Sequence, residues 1–150
     1  MGLKNFIRKI FHSPHKVSFE ENYNKTNLPI VTFMQGKKKI NFILDTGASS
    51  SILNKKALQK IKHKLIEDNS GVVTGIDGST SFAADQYEIP ISYNNEDFFV
   101  NVLAIDIDGT CSLIEKETGV KIHGLLGCNF FEENKYIIDF QKKIAYRNDK

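Results

Sequence analysis

Phe42-Ile43-Leu44-Asp45-Thr46-Gly47-Ala48-Ser49 places a carboxylate at the end of an apolar, strand-like run and follows it at once with Thr-Gly. A charge carried into such surroundings is costly unless it is paired or shares a proton. Gly47 allows a sharp turn with no side chain close to the carboxylate. Thr46 brings a hydroxyl able to bond backbone and fix the loop. An Asp that merely closes a strand into a turn would fit the tripeptide equally well, so its context has to decide. The other chemistry-bearing side chains form no such group. His12, His15, His63 and His123 have neither metal-ligand spacing nor a Ser or Cys nucleophile beside them, and all four read as incidental. Cys111 and Cys128 are too few for a disulfide framework and read as free thiols in a reducing compartment. No Gly-rich phosphate loop occurs, and neither a metal nor a cofactor is expected.

The elements that must position Asp45 are mostly strands. Residues 30–34 and 40–44 are β-branched and apolar runs around Gln35-Gly36-Lys37-Lys38-Lys39, a hairpin pattern. Residues 54–65 put Ala57, Leu58, Ile61 and Leu65 on one helical face, with Lys55, Lys56, Lys60, Lys62 and Lys64 as a solvated basic side. Gly75-Ile76-Asp77-Gly78 lies between strand-like runs, and its Asp-Gly pair is a hairpin turn signal because both residues tolerate positive φ. Further hairpins read at 87–104, turning on Asn94-Asn95, and at 136–147. A short helix is expected from Cys111 to Thr118, ended by Gly119 as its C-cap. Residues 29–150 thus form one mostly β domain. Residues 1–28 read as a basic amphipathic segment, with Leu3, Phe6, Ile7, Ile10 and Phe11 on one face, followed by a polar linker over 12–28.

In order and spacing these pieces resemble the retropepsin-like aspartic proteases, from about Pro29 to Tyr146, and most of all their bacterial members. Asp45-Thr46-Gly47-Ala48 resembles the active-site loop. The Gly75, Ile76, Asp77, Gly78 turn stands where that family has its flap. Leu125-Leu126-Gly127 followed by Cys128-Asn129 resembles its second signature, and residues 136–147 its closing strands. The resemblance implies a closed β-barrel of the acid protease type with one or two short helices and the active site at a homodimer interface. It implies Asp45 as the catalytic carboxylate, Thr46, Gly47 and Ala48 as loop support, and Gly47 backbone and the flap as contacts to an extended peptide substrate. The chemistry takes two carboxylates, one ionised to activate water and one protonated to polarise the carbonyl. This chain has one Asp-Thr-Gly, so the second carboxylate is expected from a symmetry mate.

Two positions depart from the retroviral pattern. Ser49 and Cys128 stand where retroviral enzymes often pair an Asp with an Arg, so both charges are missing together and none is orphaned. Asp77 at the flap tip is expected to build the turn. Two rival readings remain in view. One is a retropepsin fold without catalysis, used as a binding or dimerisation module. The other is phosphoryl chemistry at Asp106-Ile107-Asp108-Gly109-Thr110, a strand-end Asp motif of phosphatases. Too little chain follows that motif for such an enzyme, and Asp108-Gly109 reads as a turn.

Composition limits partners. With 20 basic and 18 acidic residues the net charge is +2, which argues for no nucleic-acid partner. It divides into a +4 head, from Lys4, Arg8, Lys9 and Lys16, and a body at −2. The basic face of residues 3–11 would suit a membrane surface. A helix docked on its own domain or on a partner, or a loose head, is the preferred reading, and Phe6 stands where the myristoylation pattern that Met1-Gly2 begins wants Ser or Thr. With no signal-type apolar core, a cytoplasmic location is expected.

Overall fold

The computed structural model describes residues 13–74 and 81–148. Residues 3–11 and the Gly75, Ile76, Asp77, Gly78 turn therefore lie outside the described residues. Two hairpins carry the barrel. β2 (Ile30–Gln35) and β3 (Lys38–Leu44) pair from Ile30 against Ile43 to Gln35 against Lys38, and Gly36, at φ +60°, supplies the positive dihedral of their two-residue turn. β6 (Ser81–Tyr93) and β7 (Glu96–Ile105) turn on Asn94 and Asn95, both at positive φ. Alternation sets their inward faces: Ile40, Phe42 and Leu44 of β3, and Phe98, Val100 and Val102 of β7, are buried in one cluster with Phe33, Ile89 and Leu126.

Two short strands close the gap between the hairpins. β8 (Gly124–Leu126) runs parallel to β3, Phe42 opposite Gly124 and Leu44 opposite Leu126. β4 (Ile52–Asn54) lies antiparallel to β8 and parallel to β7. Met34 pairs with Ser92, so the order β2-β3-β8-β4-β7-β6 returns on itself as a closed six-stranded barrel. This is a closed barrel of the kind that the resemblance implies. β5 (Lys64–Thr74) hangs on β6 as the outer arm of a long hairpin, paired up to Thr74 against Ser81.

A second sheet is built by the ends of the described chain: β1 (Lys16–Ser18), β10 (Ile144–Arg147) and β9 (Tyr136–Asp139), with β10 in the middle. Here the expected linker over 12–28 is corrected. β1 is followed by α1 (Glu20–Thr26), and Val17 and Phe19 are each only 1% exposed. The polar composition is misleading because α1 buries none of its own residues. It is held from its flanks and edges: Phe19, Tyr23 and Phe140 meet ring edge to ring face, and Asn22 Nδ2 donates to the Ile30 carbonyl at 3.0 Å.

Two other elements differ from the sequence pattern. The helix expected over 54–65 is only α2 (Lys55–Leu58). Leu58 is buried and Ala57 and Ile61 pack on the core as the periodicity requires, but Leu65 is exposed in β5. The chain leaves the helix through i to i+3 bonds at Lys60 and Ile61, and Gln35 then clamps Lys62 by both its N–H, at 2.7 Å, and its carbonyl, at 3.0 Å. The helix expected from Cys111 begins earlier, as α3 (Asp108–Thr118), so Asp108-Gly109 is its first turn and not a free one. Gly119, at φ +77°, caps it as expected. Cys111 and the Ile122 side chain bury its inner face against Ile30 on the outside of the barrel. α4 (Cys128–Asn134) follows β8, with Phe130 and Phe131 in the main core.

Candidate active site

Asp45 stands one residue beyond β3. Its N–H donates to the Leu126 carbonyl at 2.9 Å, which extends the β3–β8 ladder and carries the carboxylate to the end of the barrel. Asp45 is half-buried there, and Thr46 and Gly47 are exposed. Gly47 N–H donates to Asp45 Oδ1 at 2.9 Å, and Ala48 N–H to the Asp45 carbonyl at 3.2 Å. The carboxylate is thus oriented through one oxygen, while Oδ2 has no partner among the described residues. Gly47 is not needed for an unusual φ. A Cβ there would sit 3.2 Å from Asp45 Oδ1, so its value is open space beside the carboxylate. The Thr46 hydroxyl makes no bond among the described residues. Thr46 contributes its carbonyl, which accepts the Cys128 thiol at 3.1 Å.

The second signature holds this loop from below. Leu125 and Leu126 lie in β8, and Gly127 opens α4. Cys128 N–H donates to the Ala48 carbonyl at 2.7 Å and Asn129 N–H to the Ser49 carbonyl at 3.3 Å. Ser49 and Cys128, the positions that lack the ion pair, are therefore still joined to each other's segments by neutral backbone bonds. Ser51 is the hinge of the arrangement. Its hydroxyl donates to Asn129 Oδ1 at 2.9 Å and accepts Gly127 N–H at 3.0 Å, and its own N–H reaches the same Asn129 oxygen at 2.8 Å. Only 1% of Ser51 is exposed. Sequence reasoning missed the Ser51–Asn129 lock, because nothing in a chain announces that polar residues 78 apart will meet.

Ser51→Ala strands two buried partners at once, the Gly127 N–H and part of the Asn129 amide. It is expected to cost about 2 kcal/mol of stability. A shift of the urea midpoint with unchanged slope would show it, whereas an unshifted midpoint would mean the lock carries no energy.

The second carboxylate motif is structural. Asp106 Oδ1 accepts Asp108 N–H at 3.0 Å at the start of α3. Asp108 meets Lys56 Nζ at 2.6 Å and Asn54 Nδ2 at 3.5 Å, and the hydrogen bond from Lys56 holds its carboxyl below the usual range. Neither Asp lies beside the Asp45 loop. Of the histidines, His123 is built in. Its Nδ1 accepts Asn41 N–H at 2.9 Å, so the neutral ring carries its hydrogen on Nε2. Burial pushes its pKa down, helped by the Lys121 charge.

A lowered His pKa has a definite sign in folding. The unfolded chain binds a proton that the folded chain refuses, so stability is full above the ordinary value of 6.5 and declines as pH falls through it, until the folded ring also protonates. His123→Asn keeps an acceptor near the Nδ1 position and cannot titrate. It is expected to flatten the stability profile between about pH 7 and pH 5. Urea unfolding at both ends of that window checks this, and an equal slope in both proteins would refute it.

The decisive likeness comes from sequence comparison. Residues 31–130, two thirds of the chain, match the family profile described as aspartyl protease, of the retropepsin-like kind. The chain belongs to the retropepsin-like aspartyl proteases. No curated protein matches it. The matched span of this aspartyl protease runs from β2 into α4, so it contains the Asp45 loop, both arms of the β5–β6 hairpin and Leu125-Leu126-Gly127. Membership supports protease activity in general terms. The N-terminal strand and helix and the β9–β10 hairpin lie outside the match. Among the described residues no helix is long and apolar enough to cross a membrane.

Proposed function

We propose that this aspartyl protease is an endopeptidase active as a homodimer, with Asp45 of each subunit contributing one carboxylate to a single site. The observation that carries this reading is the Asp45 carboxylate itself, oriented through Oδ1 by Gly47 N–H and open at Oδ2 at the exposed end of the barrel. Two such groups facing each other cannot both ionise, and together they hold one proton. The ionised member takes a proton from a water as its oxygen adds to the scissile carbonyl carbon. The protonated member gives its proton to the carbonyl oxygen. Proton return to the amide nitrogen then lets the C–N bond break. The two titrations belong to the pair, and activity should lie on the acidic side of neutral.

The supporting roles follow from the loop. Thr46, Gly47 and Ala48 form the wall beside the carboxylate, and Leu125, Leu126 and Gly127 form its base. Gly47 backbone is suited to bond an extended peptide. Gly75, Ile76, Asp77 and Gly78 join the β5 and β6 arms and would close over that peptide as a flap, adding strand-like bonds and shutting out water. In the terminal sheet β10 already has a neighbour on each side, which among the described residues leaves the edges of β1 and β9 for strand addition between subunits.

The test is to incubate the protein with a mixture of unstructured peptides from about pH 3 to pH 7 and identify products by mass spectrometry. Defined internal cleavages with an acidic optimum, from a species that sediments as a dimer, are expected. A folded dimer that cuts nothing at any pH would replace this reading with a binding or dimerisation module.

A further inference from the structure

We propose that the cavity between α2, α3 and the beginning of β3 binds a small multivalent anion of the oligophosphate class. The cavity holds about 950 Å³, within the range of small-molecule sites. It lies away from the Asp45 loop: Lys38, Lys39 and Ile40 line it at the opposite end of β3, about 20 Å along the strand from Asp45.

Its charge is what calls for an anion. Lys38 and Lys39 from β3, Lys56 from α2, Lys60 beyond it and Lys121 before β8 all line this space, against only Asp108 and Glu115. Lys56 and Asp108 are consumed by each other at 2.6 Å. The Lys38 ammonium donates to the Lys60 carbonyl, which leaves Lys39, Lys60 and Lys121, none with an ion pair among the described residues, against Glu115. Separate segments of chain bring these like charges together, so this is no simple solvated helix face. His123 stands in the cavity wall, and beyond the larger effect of its burial the charges of Lys121 and, more weakly, Lys60 disfavour its protonation, with Glu115 opposing. Neutral His123 offers Nε2–H as a further donor. Lysines from several directions with a neutral donor at the wall suit an ion with several oxygens, such as a di- or triphosphate, better than a single carboxylate.

Calorimetric titration of the full chain with sodium tripolyphosphate at low ionic strength tests this. One saturable site is expected. The Lys60→Gln/Lys121→Gln double variant should bind at least tenfold more weakly, and Lys25→Gln/Lys142→Gln, which removes the same charge elsewhere, should bind like the unaltered chain. In the saturated complex the His123 ring should titrate at higher pH by proton NMR, because the anion offsets the two lysines. Absence of saturation, equal weakening in both double variants, or an unmoved His123 would each overturn the proposal. None of these readouts depends on peptide cleavage.

Discussion

Asp45→Asn is expected to lower peptide hydrolysis by about a thousandfold or more, while unfolding at nearly the concentration of denaturant that unfolds the unaltered chain. The structural cost is small because Asp45 is only half-buried and its one side-chain bond among the described residues is the acceptance of Gly47 N–H at 2.9 Å, which an amide oxygen can also make. The chemical cost is large because an amide neither ionises nor shares a proton, so no pair exists to activate water and polarise the carbonyl together. Initial rates on one cleaved peptide, compared with urea unfolding of both proteins, separate the two effects. Retained hydrolysis would remove Asp45 from the chemistry.

Gly127→Ala is expected to damage both fold and activity. A Cβ at this position would lie 2.7 Å from the Ala48 carbonyl oxygen and 2.7 Å from the carbonyl carbon and oxygen of Ser50. These are backbone atoms of the active-site loop and cannot rotate away, so the loop or α4 must move. The move also strains the bonds from Gly127 N–H to Ser51 and from Cys128 N–H to Ala48. Overpacking of this kind costs about 2–3 kcal/mol. Displacing the Asp45 loop by a fraction of an ångström to an ångström removes about a hundredfold in rate. Gly109→Ala is the control. A Cβ there meets nothing within 4 Å, and Gly109 sits in the first turn of α3, so stability should hold or rise slightly. Thermal unfolding and initial rates of the two variants side by side check the contrast. Equal behaviour would mean that the contact at Gly127 is relieved at no cost.

Much of the fold was legible because its signals are local. The alternation in β3, the Asn94-Asn95 turn and the β9–β10 hairpin are each written within a dozen residues, and backbone geometry leaves such segments few alternatives. The place of Asp45 at the end of a strand was legible for the same reason: strand, carboxylate and glycine are consecutive. What was hidden depends on contacts between distant segments. The stretch from Lys16 to Thr26 looked like a linker because its polar helix is held by Phe19 and Tyr23 against Phe140, which lies more than a hundred positions away in the chain. The helix after β4 was drawn too long because its apolar spacing continues to Leu65, while the clamp from Gln35 ends it earlier. The lysines of that region read as one solvated face, but the fold separates them. Lys56 and Lys60 line the cavity with Lys121, and Lys64 begins β5. His123 looked incidental until Asn41 was placed beside it.

The most direct measurement is a subunit-mixing experiment. Unaltered chain and Asp45→Asn chain are combined in varied proportions at fixed total concentration, allowed to exchange, and assayed on one peptide. If each active site takes one Asp45 from each of two subunits, activity follows the square of the unaltered fraction, and an equal mixture retains about one quarter of the activity. A straight-line dependence, with about half retained, would mean that each subunit carries a complete site of its own.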